Sequence, residues 1–130
     1  MPKLDRTNYS SGAPWEARVG YSRAVRVGGL VFVTGTVASR EGQPMGEGDM
    51  YLQARTCLEI IGEYLVKAGA SYADVVRTRM FVTDIERWEA VAQAHREVFA
   101  GINPCTTLVE VSRLIAPEYL IEIEADAVVG

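Results

Sequence analysis

At 130 residues, with 48% hydrophobic and 23% charged side chains, the chain fits a single domain spanning 1–130 of ordinary globular make-up. Its net charge is -4 and its 13 basic residues are dispersed; a phosphate backbone needs clustered Lys and Arg, so nucleic-acid binding is disfavoured. The absence of any apolar run near ~18 residues, of a secretory leader and of metal-ligand spacing among two cysteines and one histidine predicts a cytoplasmic protein without membrane contact, metal or other cofactor.

Residues 1–20, rich in Gly, Pro, Ser and Asn, read as a loop-like lead-in. Tyr21 to Val27 then alternates polar and apolar side chains as a half-buried strand does. Gly28-Gly29 suits a two-residue hairpin turn, and Leu30 to Thr34 returns as a second strand. A turn-rich stretch from Ser39 ends at Asp49, a residue type that caps helices by accepting unpaired amide hydrogens. The helix that follows carries Ala54, Leu58, Ile61, Leu65 and Ala68 along one apolar stripe, and Gly69 stops it.

Val75 to Thr83 predicts a strand with Arg77, Arg79 and Phe81 on one face and Thr78, Met80 and Val82 on the other. A second helix, roughly Arg87 to Ala100, gathers Trp88, Val91, Ala92, His95, Val98 and Phe99 on its apolar side. Thr107 to Leu114 and Tyr119 to Val129 predict two closing strands. This order implies an α+β fold, a mixed sheet with two helices on one face. The other face, with Arg77, Arg79, Glu122 and Glu124, is neither greasy nor simply solvated and suits subunit contact.

Five sequence words occur in order: Gly20-Tyr21, Phe32-Val-Thr-Gly35, Phe81-Val-Thr-Asp84, Pro104-Cys-Thr-Thr-Leu-Val-Glu-Val-Ser-Arg-Leu114 and Ile121-Glu-Ile-Glu-Ala125. From about Gly20 onwards the chain resembles the RidA superfamily, also called YjgF or L-PSP, whose founding members hydrolyse reactive enamines and imines. The resemblance implies a chorismate-mutase-like domain, a trimeric barrel of packed sheets, and a small-molecule cleft at each subunit interface. In the archetype the fourth word runs approximately P-x-R-S-x-V-E-V-x-R-L, and its first arginine grips the substrate carboxylate. Thr106 stands at that position here, while Arg113 matches the second, separate arginine. Ala92 falls where the archetype carries a polar asparagine, and the connection after that helix is shorter. The chain thus reads as a divergent member without the substrate-carboxylate arginine.

The resemblance places Tyr21 and Thr106 in the cleft and makes Glu122 the candidate that positions a hydrolytic water. An ion pair with a strand arginine is the competing role for Glu122. Arg79 is a candidate replacement anchor, against the favoured reading of a salt-bridge ladder with Glu110, Glu122 or Glu124. His95 is a candidate base, although its place on the apolar stripe favours a packed, satisfied imidazole. Cys105, near the expected cleft, is a candidate thiol nucleophile, with an inert free cysteine favoured. Cys57 adjoins the first helix's stripe and suits packing.

The expected function is a homotrimer that binds a small metabolite in inter-subunit clefts, with any imine or enamine hydrolysis of altered specificity. A non-catalytic metabolite-binding or protein-interaction module is the alternative from another class. Retained 2-imino acid deaminase activity with another anchor is the third reading, and a nuclease comes last.

Overall fold

A computed structural model describes residues 3–130. Helix α2, Met50–Lys67, follows from its sequence at each end. The Asp49 carboxylate accepts from the Leu52 amide at 2.9 Å, and Gly69 takes a positive φ of 80° just past the last turn. Between these stops Ala54, Leu58, Ile61, Leu65 and Ala68 are all buried against the sheet.

The sheet has six strands in the order β1-β2-β3-β8-β6-β7. Strands β2 (Ala24–Val27) and β3 (Leu30–Val37) form the expected hairpin. Strand β8 (Ile121–Val128) lies antiparallel between β3 and β6 (Val75–Val82). Strand β7 (Cys105–Glu110) runs parallel to β6 at the sheet edge, reached through helix α3 (Trp88–Phe99). Val31, Val33, Met80, Val82, Ile121, Ile123 and Ala125 face the helices and are buried. The chain is therefore the expected mixed α+β sheet with two main helices on one face.

Several expectations need correction. The loop-like reading of 1–20 fails within the described residues, because β1 (Arg6–Tyr9) pairs antiparallel with β2 and α1 spans Pro14–Val19. A four-residue polar edge strand shows no alternation, and a six-residue helix is too short for a stripe. The turn-rich stretch contains a small hairpin, β4 (Ser39–Arg40) with β5 (Gln43–Pro44). Its turn residues Glu41 and Gly42 both take positive φ, as a tight hairpin turn requires. The strand predicted to reach Leu114 ends at Glu110. Trp88 is 50% exposed rather than on the buried side of α3, where Val91, Ala94 and Phe99 do the packing.

Two polar groups inside this architecture are fully used. Buried Gln53 donates to the Gly46 and Glu118 carbonyls at 3.2 and 2.9 Å and accepts from the Leu120 amide at 2.8 Å, tying α2 to the start of β8. Tyr72 donates to the Leu58 carbonyl at 2.7 Å and meets Phe99 edge-on, so it pins α2 to α3.

Gly62 makes room for that tyrosine: a Cβ there would lie 2.2 Å from the Tyr72 hydroxyl oxygen. Gly62→Ala gains ~1 kcal/mol of helix propensity. It loses ~1–3 kcal/mol to overpacking and about 1 kcal/mol with the displaced hydrogen bond. Chemical denaturation should therefore show net destabilisation, and a smaller effect of Gly62→Ala in a Tyr72→Ala background. An equal effect in both backgrounds would mean that the tyrosine does not impose the glycine.

Candidate functional site

Parallel pairing of β6 with β7 sets Thr78 opposite Thr106 and Met80 opposite Leu108. Opposed residues of neighbouring strands share a face, so Thr106 points to the helix side with Thr78. Thr78 is 0% exposed beneath α3. Its hydroxyl lies 2.8 Å from His95 Nε2 and 2.7 Å from the Thr106 hydroxyl. The result is a row of three polar groups, His95–Thr78–Thr106, running from the helix through the sheet to its edge. The His95 ring also stacks on Phe99 with centroids 4.6 Å apart. Burial pushes the imidazole below its usual pKa, so it is neutral at pH 7.

His95 and Thr106 line a cavity of about 530 Å³ between α3 and the β7 edge. Met80, Ala92, Phe99 and Leu108 supply its apolar wall, and no carboxylate lines it. Arg96 is its one charged side chain, a residue the sequence reading passed over because it follows the apolar stripe of α3 rather than belonging to it. A signal was present in the sequence. The positions three and four residues away are Ala92, Gln93, Phe99 and Ala100, so the helix offers Arg96 no acidic partner.

Tyr21 lies elsewhere. It lines a second cavity of about 390 Å³ with Arg6, Asn8, Phe32, Glu124 and Asp126, on the sheet face that the helices leave open. From β2 to β7 is four strand spacings, about 19 Å, so one small ligand cannot touch Tyr21 and Thr106 of the same chain.

Glu122 belongs to neither cavity wall. Its carboxylate sits over Gly35, where a Cβ would come within 2.6 Å of Oε2. Gly35 falls at the irregularity of β3 between Val33 and Thr36, and its carbonyl accepts from Arg23 Nη2 at 2.6 Å. Glu122 has no hydrogen-bond or ion-pair partner among the described residues. Burial raises its pKa, opposed by the charge of Arg23 and helped by Glu124.

Arg79 bridges to Glu124 at 3.2 Å and Asp126 at 3.3 Å on the neighbouring strand, the arrangement of a ladder rather than of a free anchor. Glu110 instead accepts from the Ile85 amide at 3.1 Å. Cys105 is exposed on the edge strand and faces away from His95, since it alternates with Thr106. Cys57 is buried in α2, and burial pushes its thiol far up.

Comparison with known proteins agrees with this architecture. The family model described as endoribonuclease L-PSP matches residues 11–129. An uncharacterised protein of Streptomyces coelicolor is 36% identical over 120 residues, covering 92% of this chain and 90% of that one. A RutC family protein of Pyrococcus abyssi is 35% identical over 108 residues, covering 82% and 84%. Among solved structures, a Mycobacterium tuberculosis member of the YjgF/YER057c/UK114 family superposes with a TM-score of 0.88 at 51% identity, covering 96% of this chain and 100% of that one. Escherichia coli TdcF with bound serine superposes at 0.79 and 26% identity, with both chains fully covered. The chain belongs to the endoribonuclease L-PSP family, the RidA (YjgF) superfamily whose words its sequence carries.

Proposed function

We propose that this chain acts as a homotrimer that binds a small metabolite in clefts between its subunits, with a specificity changed from that of arginine-bearing relatives. The observation that carries this reading is the split of its polar features into two open half-sites. Tyr21 lies on one side of the sheet and Thr106 at the opposite edge, and a second copy is the simplest way to bring such walls together. Exposed Leu30, Phe32, Val109 and Val128 on the uncovered sheet face and β7 edge support association, since rows of half-covered apolar side chains favour a partner. Bound serine in TdcF supports a small amino-acid-like ligand class.

Within such a cleft, Thr106 gives one neutral hydrogen bond where an arginine would give a charged fork. Charge-assisted bonds contribute ~1.5–3 kcal/mol and neutral ones ~0.5–1.5 kcal/mol, so capture of a carboxylate at position 106 is weaker by about one order of magnitude. Glu122, an unpaired carboxylate with a raised pKa on the open face, is the group able to hold and activate a water, and it meets a ligand at Thr106 only as the residue of a neighbouring chain. A non-catalytic binder is the second reading, and the carboxylate-free wall around Thr106 favours it. A nuclease is disfavoured by the dispersed basic residues and the net charge of -4.

Light scattering should give a mass of three 14.2 kDa chains at micromolar concentration; a monomer would remove the basis for a shared cleft. With 2-aminoacrylate generated in place, turnover should fall at least tenfold below that of an arginine-bearing relative, mainly through poorer capture. Equal efficiency would show that another group has taken over the lost contact.

Glu122 also yields a stability expectation. Its folded pKa lies above its unfolded value, so the folded state binds the proton more tightly and stability falls as pH rises from the unfolded to the folded value. Above that window the ionised, buried group remains a cost. Glu122→Gln should therefore raise Tm at pH 7, and lose that advantage below pH 4. A lower Tm at pH 7 would mean that the carboxylate is engaged in an ion pair.

A further inference from the structure

The cavity between α3 and β7 combines an apolar body with a polar end, and its one charged side chain has no ion-pair partner among the described residues. Arg96 makes no side-chain hydrogen bond or ion pair among the described residues. Arg40, Arg55 and Arg79 are engaged with carboxylates, whereas Arg77 and Arg113 are unpaired among the described residues like Arg96; what sets Arg96 apart is its place in the cavity wall. The mouth of the cavity is shaped by Asn103, which takes a positive φ of 53° before Pro104, and by the tight turn that carries the chain from α3 to Thr106.

The polar row gives that end a direction. Thr78 has one hydroxyl hydrogen and two partners. When His95 Nε2–H donates to Thr78, Thr78 donates to Thr106, and the Thr106 hydrogen is free to point outward. When the row runs the opposite way, Thr106 is left as an acceptor. A ligand oxygen selects the first arrangement. His95 is neutral and can take either tautomer, and Arg96 is the one charged side chain in the cavity wall.

We propose that Arg96 anchors the carboxylate of a small acid with an apolar body in this cavity, with Thr106 as second donor at the end of the His95–Thr78 row. This assignment rests on the ligand-binding reading above. Arg96 also lies in the last turn of α3, where the carbonyl end of a helix favours any cation. That role by itself affects stability and leaves ligand discrimination unchanged, so the two separate by experiment.

The probes are isovalerate and its uncharged amide, isovaleramide, titrated calorimetrically into the native oligomer. The wild type should bind the acid at least tenfold more tightly than the amide. Arg96→Gln should remove that tenfold preference while holding isovaleramide affinity within twofold and leaving circular dichroism and oligomer mass unchanged. Arg96→Lys, which keeps the charge without the fork, should restore part of it. Thr106→Val should weaken both probes. Isovalerate binding by Arg96→Gln equal to wild type overturns the anchor, as does equal weakening of both probes. In those cases a response of both probes to Thr106→Val leaves the ligand-binding reading standing. Failure of the wild type to bind either probe overturns both.

Discussion

A single hydroxyl, that of Thr78, ties together the part of the molecule that bears on function. Thr78 lies in the middle of β6 with no exposure to solvent, so its oxygen must be satisfied by protein. Leaving such a group unpaired costs ~1–3 kcal/mol. Its partners come from the two elements that flank it, His95 of α3 and Thr106 of β7. The same bonds that satisfy the sheet therefore fix the distance between the helix and the edge strand, and that gap is the cavity. Polar satisfaction and site formation are one arrangement here, and a substitution at Thr78 would disturb both at once.

The uncovered face of the sheet follows a different logic. Arg79, Glu124 and Asp126 lie side by side across β6 and β8, one guanidinium shared by two carboxylates, so the cluster is paired but keeps a negative excess. At the flanks the same face carries Leu30, Phe32 and Val128 partly in solvent. A centre whose arginine is already paired, with apolar flanks, is covered by another sheet at lower desolvation cost than a row of unpaired arginines. Apart from exposed Arg77, Glu122 is the exception on this face. It is half-buried, unpaired and raised in pKa, and Gly35 yields the space that its carboxylate takes.

How much of this the sequence made legible depends on the range of the interaction involved. Helix α2 was readable end to end, because its cap, stripe and stop are all local. The β2–β3 hairpin was readable because two glycines sit between two alternating runs. Strand β1 was not, since an exposed polar edge strand is defined by its partner and has no pattern of its own. The Arg79 ladder could be foreseen from opposite charges on strands, but its Asp126 arm depends on the register of β6 against β8. His95 was readable as a packed imidazole and Thr106 as a departure from the family word. That they share Thr78 could not be read, because the link runs through the parallel register of β6 and β7. Arg96 was missed for the opposite reason: attention to the apolar stripe passes over the polar residue beside it.

Thr106 then has a consequence that reaches beyond the loss of one charge. An arginine at this position has no short hydroxyl to offer Thr78, so the present row would end at Thr78 and the long side chain would cross the space that Met80, Ala92 and Leu108 now line. A threonine closes the row with a short polar group and leaves the cavity open and largely apolar. Ala92 fits the same pattern, since a small residue on the facing helix adds room without adding a polar atom that would need a partner. Thr106 and Ala92 thus act together on one wall. They keep the fold, which rests on the sheet and on α2. In this chain the cavity wall therefore draws no charge from β7, and Arg96 of α3 is the one charged side chain that lines it.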